Sequence, residues 1–113
     1  MKMTTVTTEW REMVVEIPLK QPGAVVEITG WVYGCWVLHR IKELKRVMWA
    51  LTHIPTGRRL AVYPDTPTIE AIAPIAVRVH EAHGDKWNTQ NIRKVQTMAI
   101  ECKDIWQREA VTA

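Results

Sequence analysis

The sequence is short of the residues on which several common chemistries depend. Its 113 residues include no serine, no phenylalanine, five glycines and two cysteines. The absence of serine excludes every mechanism that uses a serine nucleophile. The five glycines form neither a GxGxxG nor a Walker spacing, which excludes the common nucleotide-binding loops. Two cysteines are too few for a disulfide framework, so we expect Cys35 and Cys102 to be buried free thiols in a reducing compartment.

The chain also lacks long apolar segments. No run approaches the roughly 20 apolar residues that a membrane-spanning helix needs, and the polar, threonine-rich residues 1–10 do not have the pattern of a signal peptide. We therefore expect a cytoplasmic protein that does not bind a membrane. The length suits one domain, and we predict a flexible tail at residues 1–10 and a single α+β domain at residues 11–113.

Tryptophan is unusually frequent, and positive charge is concentrated in one stretch. The six tryptophans are spread along the chain, which favours separate core anchors over a single cluster. Residues 40–59 contain six basic residues and one acidic residue, whereas acidic residues outnumber basic ones elsewhere, and the net charge is +3. Such a concentration is what an anion-binding surface requires, although a merely solvated loop has the same composition.

The first half of the chain has the pattern of a β-meander. We predict strands at about 11–17, 24–29, 31–39, 46–54 and 58–63, separated by turn residues. Gly30 is expected to mark a bulge or turn before Trp31. The best-determined local feature is a hairpin at residues 55–57, where Gly57 can adopt the positive φ that a short loop requires.

After Tyr63 the apolar period becomes helical. Asp65 or Thr66 is the expected N-cap of a first helix that continues to residue 83, with Gly84 as the C-cap. Pro74 lies inside this pattern and is expected to kink the helix or to separate its first turn.

A second helix is predicted at about 89–109 from one apolar stripe. A strand at 95–102 is the alternative, because Ile100 falls outside that stripe. The order of elements predicts an α+β fold, namely an antiparallel β-meander of three to five strands followed by two helices packed on the sheet.

Both faces of the expected sheet are apolar. If residue 39 lies opposite residue 46, Trp36 faces Trp49 across the strand pair. A sheet that is solvated on one side alternates apolar and polar residues, and these strands do not. Both faces therefore need cover, either from one helix on each side or from a helical layer on one face and a dimer mate or partner on the other.

Histidine is the remaining candidate for catalysis or metal binding. His39 and His53 have the chemistry of an acid–base pair in a small ribonuclease, but in the expected register they lie roughly 23 Å apart along the strand. A different fold could instead bring His53 to His83. The histidines His80 and His83 are three residues apart, which is not the metalloprotease spacing. We predict no catalytic residue, no metal and no cofactor.

These exclusions favour a small non-enzymatic binding module. The first hypothesis is a basic β-meander that binds nucleic acid or a nucleoprotein complex, with cations on phosphates and tryptophans on bases. Its predicted binding residues are Arg40, Lys42, Lys45, Arg46, Arg58, Arg59, Trp36 and Trp49. Under this hypothesis Arg46, Arg58 and Arg59 should converge on one exposed surface beside an aromatic ring.

The alternative hypothesis is a protein partner. Six tryptophans and five methionines can anchor an interface, and the chain length suits an inhibitor or accessory protein of a phage or mobile element that binds a host protein through an apolar, tryptophan-rich surface. A homodimer is compatible with either hypothesis, and a small ribonuclease is the second alternative.

Overall fold

The computed structural model describes residues 10–43, 46–63 and 69–112. Within them, one antiparallel sheet holds strands in sequence order: β1 (Arg11–Pro18), β2 (Val25–Tyr33), β3 (Trp36–Glu43), β4 (Arg46–His53) and β5 (Arg58–Tyr63). Helices follow as α1 (Ile69–His83), α2 (Ile92–Glu101) and α3 (Lys103–Thr112), with a 3₁₀ turn at Gly84–Trp87. The predicted α+β class, a meander followed by helices, is confirmed.

The hairpin predicted at residues 55–57 is present between β4 and β5. The two strands pair from Trp49 opposite Tyr63 to His53 opposite Arg58. The Gly57 N–H donates to the His53 carbonyl at 2.8 Å, and Gly57 has a φ of 71°, which only glycine adopts without steric cost. This prediction is confirmed.

The single strand predicted at 31–39 is wrong. Gly34 and Cys35 turn the chain between β2 and β3, and Gly34 has a φ of 58°. The Ile54 N–H donates to the Cys35 carbonyl at 2.8 Å, which ties this turn to the end of β4. Gly30, expected to mark a bulge or turn, lies inside β2. A two-residue turn between two apolar strands hardly interrupts the apolar pattern, so the pattern did not reveal it.

The register of β3 on β4 also differs from the expected one. His39 lies opposite Ala50 rather than residue 46, so Trp36 pairs with His53 and Arg40 with Trp49. The observed partner of His39 is four positions further along β4 than the expected one. Because a shift by an even number of residues preserves the alternation of side chains, those of β3 and β4 keep their expected faces.

The first predicted helix is observed as α1. Pro74 is exposed and lies inside α1 without ending it, so the first turn is not separated from the rest. Gly84 follows the helix with a φ of 54°, as expected of a C-terminal glycine. The expected N-caps Asp65 and Thr66 lie outside the described residues.

The single helix predicted at 89–109 is divided into α2 and α3. The chain leaves helical geometry at Cys102, whose φ is −106° and ψ is 21°. At the start of α2 the Asn91 side chain caps the helix by accepting from the Lys94 N–H at 3.2 Å. Since 92–101 is helical, the strand alternative at 95–102 is wrong. No helix in the described parts of the chain is long and apolar enough to cross a membrane.

The helices cover one face of β3, β4 and β5, and the main core lies between them. Its largest fully buried side chains include Trp36, Leu38, Leu51, Tyr63, Ile72, Val79, Trp87 and Val95. Trp36 and Trp87 form its centre, with ring centroids 4.8 Å apart. Trp10, which the sequence assigned to the tail, is only 3% exposed and stacks on Tyr33 with centroids 5.1 Å apart, so it belongs to the packed domain.

The opposite face of the sheet is covered by the β1–β2 hairpin. β1 and β2 pair along their whole length, whereas β2 pairs with β3 only through residues 31–33. Val37 and Ala50, on that face, are fully buried, and Ile17 of β1 is 2% exposed. Within β2, a Cβ on Gly30 would lie 2.6 Å from the Leu38 carbonyl oxygen. The chain's own hairpin therefore covers the second apolar face where Val37 and Ala50 lie, so their burial requires neither a second helix nor another chain.

Candidate nucleic-acid interface

The basic residues predicted to form one surface lie at two ends of the sheet. Lys42 is near the end of β3, opposite Val47, whereas Arg58 begins β5, opposite His53. The six-residue step from 47 to 53 along β4 corresponds to roughly 20 Å. Arg40 and Arg46 lie on β3 and β4 on the same side of this step as Lys42, Arg59 follows Arg58 on β5, and Lys45 lies outside the described residues. The strand position of Arg46 is therefore at the opposite end of β4 from Arg58, which begins β5.

Towards the end of the sheet that contains Lys42, Arg40 covers Trp49. The two residues are direct neighbours across β3 and β4, and the guanidinium carbon lies 5.1 Å from the centre of the indole ring. Trp49 is 8% exposed, so its ring supports Arg40 and offers little surface to a base. A hollow of about 190 Å³ beside this pair is also lined by Glu12 and the half-buried Trp31, and the carboxylate of Glu12 opposes the binding of an anion there.

Trp36 is not on any surface. It is 0% exposed and makes edge-on contacts with Trp87 and His53, whose ring centroids lie 4.8 and 5.2 Å away. We therefore remove Trp36 from the set of residues that contact a ligand, because a buried ring has no free face on which a base can stack.

At the end of the sheet where β5 begins, three cationic residues are among those that line one groove of about 600 Å³. We call it the hairpin-tip groove, since it is bounded by the β1–β2 turn, the β4–β5 turn and the start of α2. Its described lining residues are Pro18, Leu19, Lys20, Thr56, Gly57, Arg58, Arg59 and Ile92. None of them is acidic.

Arg58 is held in place by hydrogen bonds from two directions. Its backbone N–H donates to the Thr56 hydroxyl at 3.2 Å. With the Gln96 amide oriented so that its oxygen faces Arg58, that oxygen accepts from both terminal guanidinium nitrogens at 2.9 and 3.2 Å. A guanidinium has five N–H donors, so these contacts orient the group and leave donors for a ligand.

Two of the groove residues were not among the predicted binding residues. Lys20 lies in the β1–β2 turn and Ile92 begins α2, and both are distant in sequence from Arg58. Their local sequence gives no sign that they meet, because their proximity depends on the β1–β2 hairpin folding over the sheet. Ile92 and Leu19 are nevertheless 49% and 51% exposed, so the groove combines positive charge with apolar surface.

His39 and His53 do not form a catalytic pair. They are separated by three positions along β4 and point to opposite faces of the sheet, since His39 pairs with Ala50. His53 is fully buried; its Nε2 donates to the Trp87 carbonyl at 2.6 Å, and its Nδ1 lies 2.8 Å from the Thr56 hydroxyl. His39 is 6% exposed and contacts the Thr52 hydroxyl at 2.7 Å. Both rings are thus used in internal hydrogen bonds.

Burial favours the neutral form of both of these histidines, because it lowers the pKa of each. Desolvation lowers the pKa of His39 below its usual value. A hydrogen bond to the Arg40 backbone raises this pKa in opposition, whereas the positive charge of Arg59 lowers it further. Desolvation likewise lowers the pKa of His53, with the hydrogen bond to the Trp87 backbone in opposition. Burial also raises the pKa of the Cys35 thiol to about 11, which is the opposite of what a reactive thiolate requires.

We predict that stability falls when the pH drops below about 6.5, the pKa of an unperturbed histidine. Below that pH the unfolded chain binds protons at His39 and His53 that the folded chain does not bind. Each histidine therefore contributes a slope of at most about 1.4 kcal/mol per pH unit. Urea unfolding at pH 7.5, 6.5 and 5.5 measures this, and His39→Gln should remove part of the slope. A free energy of unfolding that stays constant over this range would contradict the prediction.

His83, the other histidine considered for a pair with His53, is engaged elsewhere. Its Nε2 lies 3.2 Å from a Glu101 carboxylate oxygen, and its ring meets Trp87 edge-on with centroids 5.4 Å apart. His80 packs edge-on against Tyr33, with centroids 5.4 Å apart. Among residues 10–43, 46–63 and 69–112, no group of three histidine, cysteine or acidic side chains is placed to hold a metal ion.

Comparisons with known proteins give no relative. No protein-family model matches the chain, and neither the curated proteins nor the solved structures contain a match. We therefore infer a function from the residues and their geometry alone.

Proposed function

We propose that this chain is a small non-enzymatic module that binds nucleic acid, free or within a nucleoprotein complex, through the hairpin-tip groove. The observation that carries the proposal is the meeting of Lys20, Arg58 and Arg59 around one groove, whose described lining residues include no acidic residue. Cations grouped in this way bind the phosphates of a nucleic-acid backbone and release its counterions.

The groove fits this role better than the opposite end of the sheet. At that end Arg40 lies over Trp49, and Glu12 lines the same hollow. In the groove, Arg58 is oriented by Gln96 and Thr56, so less conformational entropy is lost when it binds a phosphate.

The groove also favours binding with little sequence preference. Its described lining contains no aromatic ring on which a base can stack, and contacts to phosphates carry no sequence information directly. We therefore expect duplex and single-stranded ligands to bind through charge, with an affinity that depends strongly on salt.

The test is fluorescence anisotropy with labelled single-stranded and duplex DNA and RNA between 50 and 200 mM salt. Three phosphate contacts predict that affinity falls about 20- to 40-fold over this range. The triple variant Lys20→Gln, Arg58→Gln, Arg59→Gln should lose most of the binding at 50 mM salt and most of the salt dependence.

Two control variants separate the groove from other basic surfaces. Lys103→Gln removes one exposed charge at the start of α3, outside the groove lining, and should have little effect. Arg40→Gln with Lys42→Gln tests the other end of the sheet and should weaken binding less than the groove variant does. Absence of binding to every nucleic acid at 50 mM salt, or equal binding by the folded triple variant, would rule the proposal out.

A protein partner is the second candidate function, and a specific observation favours it. Five of the large hydrophobic side chains that the described residues expose lie on the β1–β2 hairpin: Met13, Val14, Leu19, Val25 and Val26. Exposed apolar side chains grouped on one element are typical of a protein-binding surface. The link to a phage or mobile element stays a prediction from chain size.

A further inference from the structure

β1 is an end strand of the sheet, and no other described strand lies along its outer edge. In the described part of the chain β1 pairs only with β2. Residues 11–14 and Glu16 are exposed. Sheet edges are usually protected by charged side chains, proline or a bulge. β1 carries the charges of Arg11, Glu12 and Glu16, pairs with β2 without a bulge, and has its proline, Pro18, only at its end. The backbone groups along residues 11–16 can therefore accept a further strand.

One face of the β1–β2 hairpin is largely exposed, and only its border at Glu12 adjoins the Arg40–Trp49 pair. We call it the outer hairpin face, formed by Glu12, Val14, Glu16, Val25 and Glu27. Side chains alternate along a strand and pair across strands, so the registers Glu16–Glu27 and Pro18–Val25 place these five on one side. Val14 and Val25 are 55% and 53% exposed.

The charges of the outer hairpin face are all negative. Glu16 lies directly opposite Glu27, and like charges in this position repel each other. The carboxylates of Glu12, Glu16 and Glu27 form no ion pair with a described residue. In a chain whose net charge is +3, this face attracts cations and repels nucleic acid.

We propose that the open edge of β1 binds a basic, extended segment of a protein partner, which adds to the sheet as a further strand. The alternation of Glu12, Val14 and Glu16 specifies its pattern: a cation, then an apolar residue, then a cation, at every second position. The backbone supplies hydrogen bonds, and the side chains supply specificity. This site is distinct from the hairpin-tip groove and does not depend on it.

A second copy of the chain fits the edge less well than a basic segment does. Antiparallel self-pairing centred on Val14 aligns residues 11–17, but it sets Glu12 of one copy against Glu16 of the other, and these like charges repel. The equally long pairing centred on Val15 aligns residues 12–18 and includes Pro18, which has no N–H to donate. A basic segment instead neutralises the existing repulsion between Glu16 and Glu27.

The test uses a synthetic capped peptide in which lysine, valine and lysine alternate with threonine. Binding is measured by calorimetry at low salt, and the contact surface by amide shifts in ¹H–¹⁵N spectra of the full chain. We expect the largest shifts at residues 11–16. The triple variant Glu12→Gln, Glu16→Gln, Glu27→Gln should weaken binding about tenfold, whereas Glu81→Gln, on the exposed side of α1, should not change it.

Modified peptides test the backbone contact without altering the protein. N-methylation of every second residue blocks one edge of the peptide, so one of the two alternating N-methylated peptides should lose binding and the other should keep it. A peptide with glutamate in place of lysine should not bind. The groove variant Lys20→Gln, Arg58→Gln, Arg59→Gln should bind the basic peptide normally, which separates this proposal from nucleic-acid binding.

Several results would overturn the proposal. They are absence of peptide binding at low salt, shifts that lie on the helices instead of β1, equal binding by both N-methylated peptides, or no effect of the glutamate variant. Dimerisation of the protein alone in light scattering, abolished by a change at β1, would identify a second copy as the occupant and would likewise overturn it.

Discussion

Gly57→Ala is expected to lower the free energy of unfolding by about 3 kcal/mol, of which about 1–2 kcal/mol is the cost of a side chain at positive φ and the rest is steric overlap. Gly57 has a φ of 71°. A Cβ at this position would overlap the Pro18 carbonyl oxygen and approach Ile17 Cγ2 to 2.9 Å. The substitution therefore pushes the β1–β2 hairpin away from the β4–β5 turn and partly uncovers the second face of the sheet.

Gly23→Ala is the matched control for this substitution. Gly23 has a φ of 78°, and a Cβ there would have no heavy atom of any residue beyond its two chain neighbours within 4 Å. Its cost should be limited to the conformational part, about 1–2 kcal/mol. Urea unfolding of both variants at pH 7.5 measures the difference, which is the cost of displacing the hairpin. Equal losses for the two variants would mean that the hairpin does not press on the Gly57 turn.

Trp87→Ala is expected to lower the free energy of unfolding by about 3–5 kcal/mol, the usual cost of removing a large buried aromatic side chain. Trp87 is 0% exposed, and its Nε1 donates to the Val79 carbonyl at 3.0 Å. Its ring contacts those of Trp36, His53 and His83. Removing it leaves a cavity where β3, β4 and α1 meet and removes one hydrogen bond to the Val79 carbonyl.

Trp106→Ala serves as the comparison for Trp87→Ala. Trp106 also donates its Nε1 to a backbone carbonyl, that of Ala99 at 3.1 Å, but the residue is only half-buried. Both substitutions lose one indole hydrogen bond, so the difference between them reports burial. We expect a loss of about 1–2 kcal/mol for Trp106→Ala, because less apolar area is buried there. Comparable losses would contradict the central position of Trp87 in the core.

Several features of the fold could be predicted because they depend on neighbouring residues. Gly57 in the β4–β5 turn and Gly84 after α1 both adopt the positive φ expected of them. The change from strand to helix after Tyr63 was visible because the period of apolar residues changes there. The short turn at Gly34 was not visible, since apolar residues continue on both sides of it.

The candidate groove could be predicted only in part. Arg58 and Arg59 were predicted as binding residues, because the excess of basic residues is a property of composition. Lys20 and Ile92 were not, because they reach the groove only through tertiary contacts. Conversely, Trp36 and Trp49 have the residue type of a stacking platform, but the structure buries the first and covers the second with Arg40.

The sequence by itself determined the class of fold, the main hairpin and the helical second half, since each is set by the backbone preferences and apolar period of adjacent residues. Only the tertiary structure decided the strand register, the cover of the second face and the composition of the groove. Register depends on which distant side chains fit together, and a shift by an even number of residues leaves the apolar pattern unchanged. The β1–β2 hairpin covers the sheet because Gly30 and Gly57 permit close backbone contacts, which no local pattern specifies.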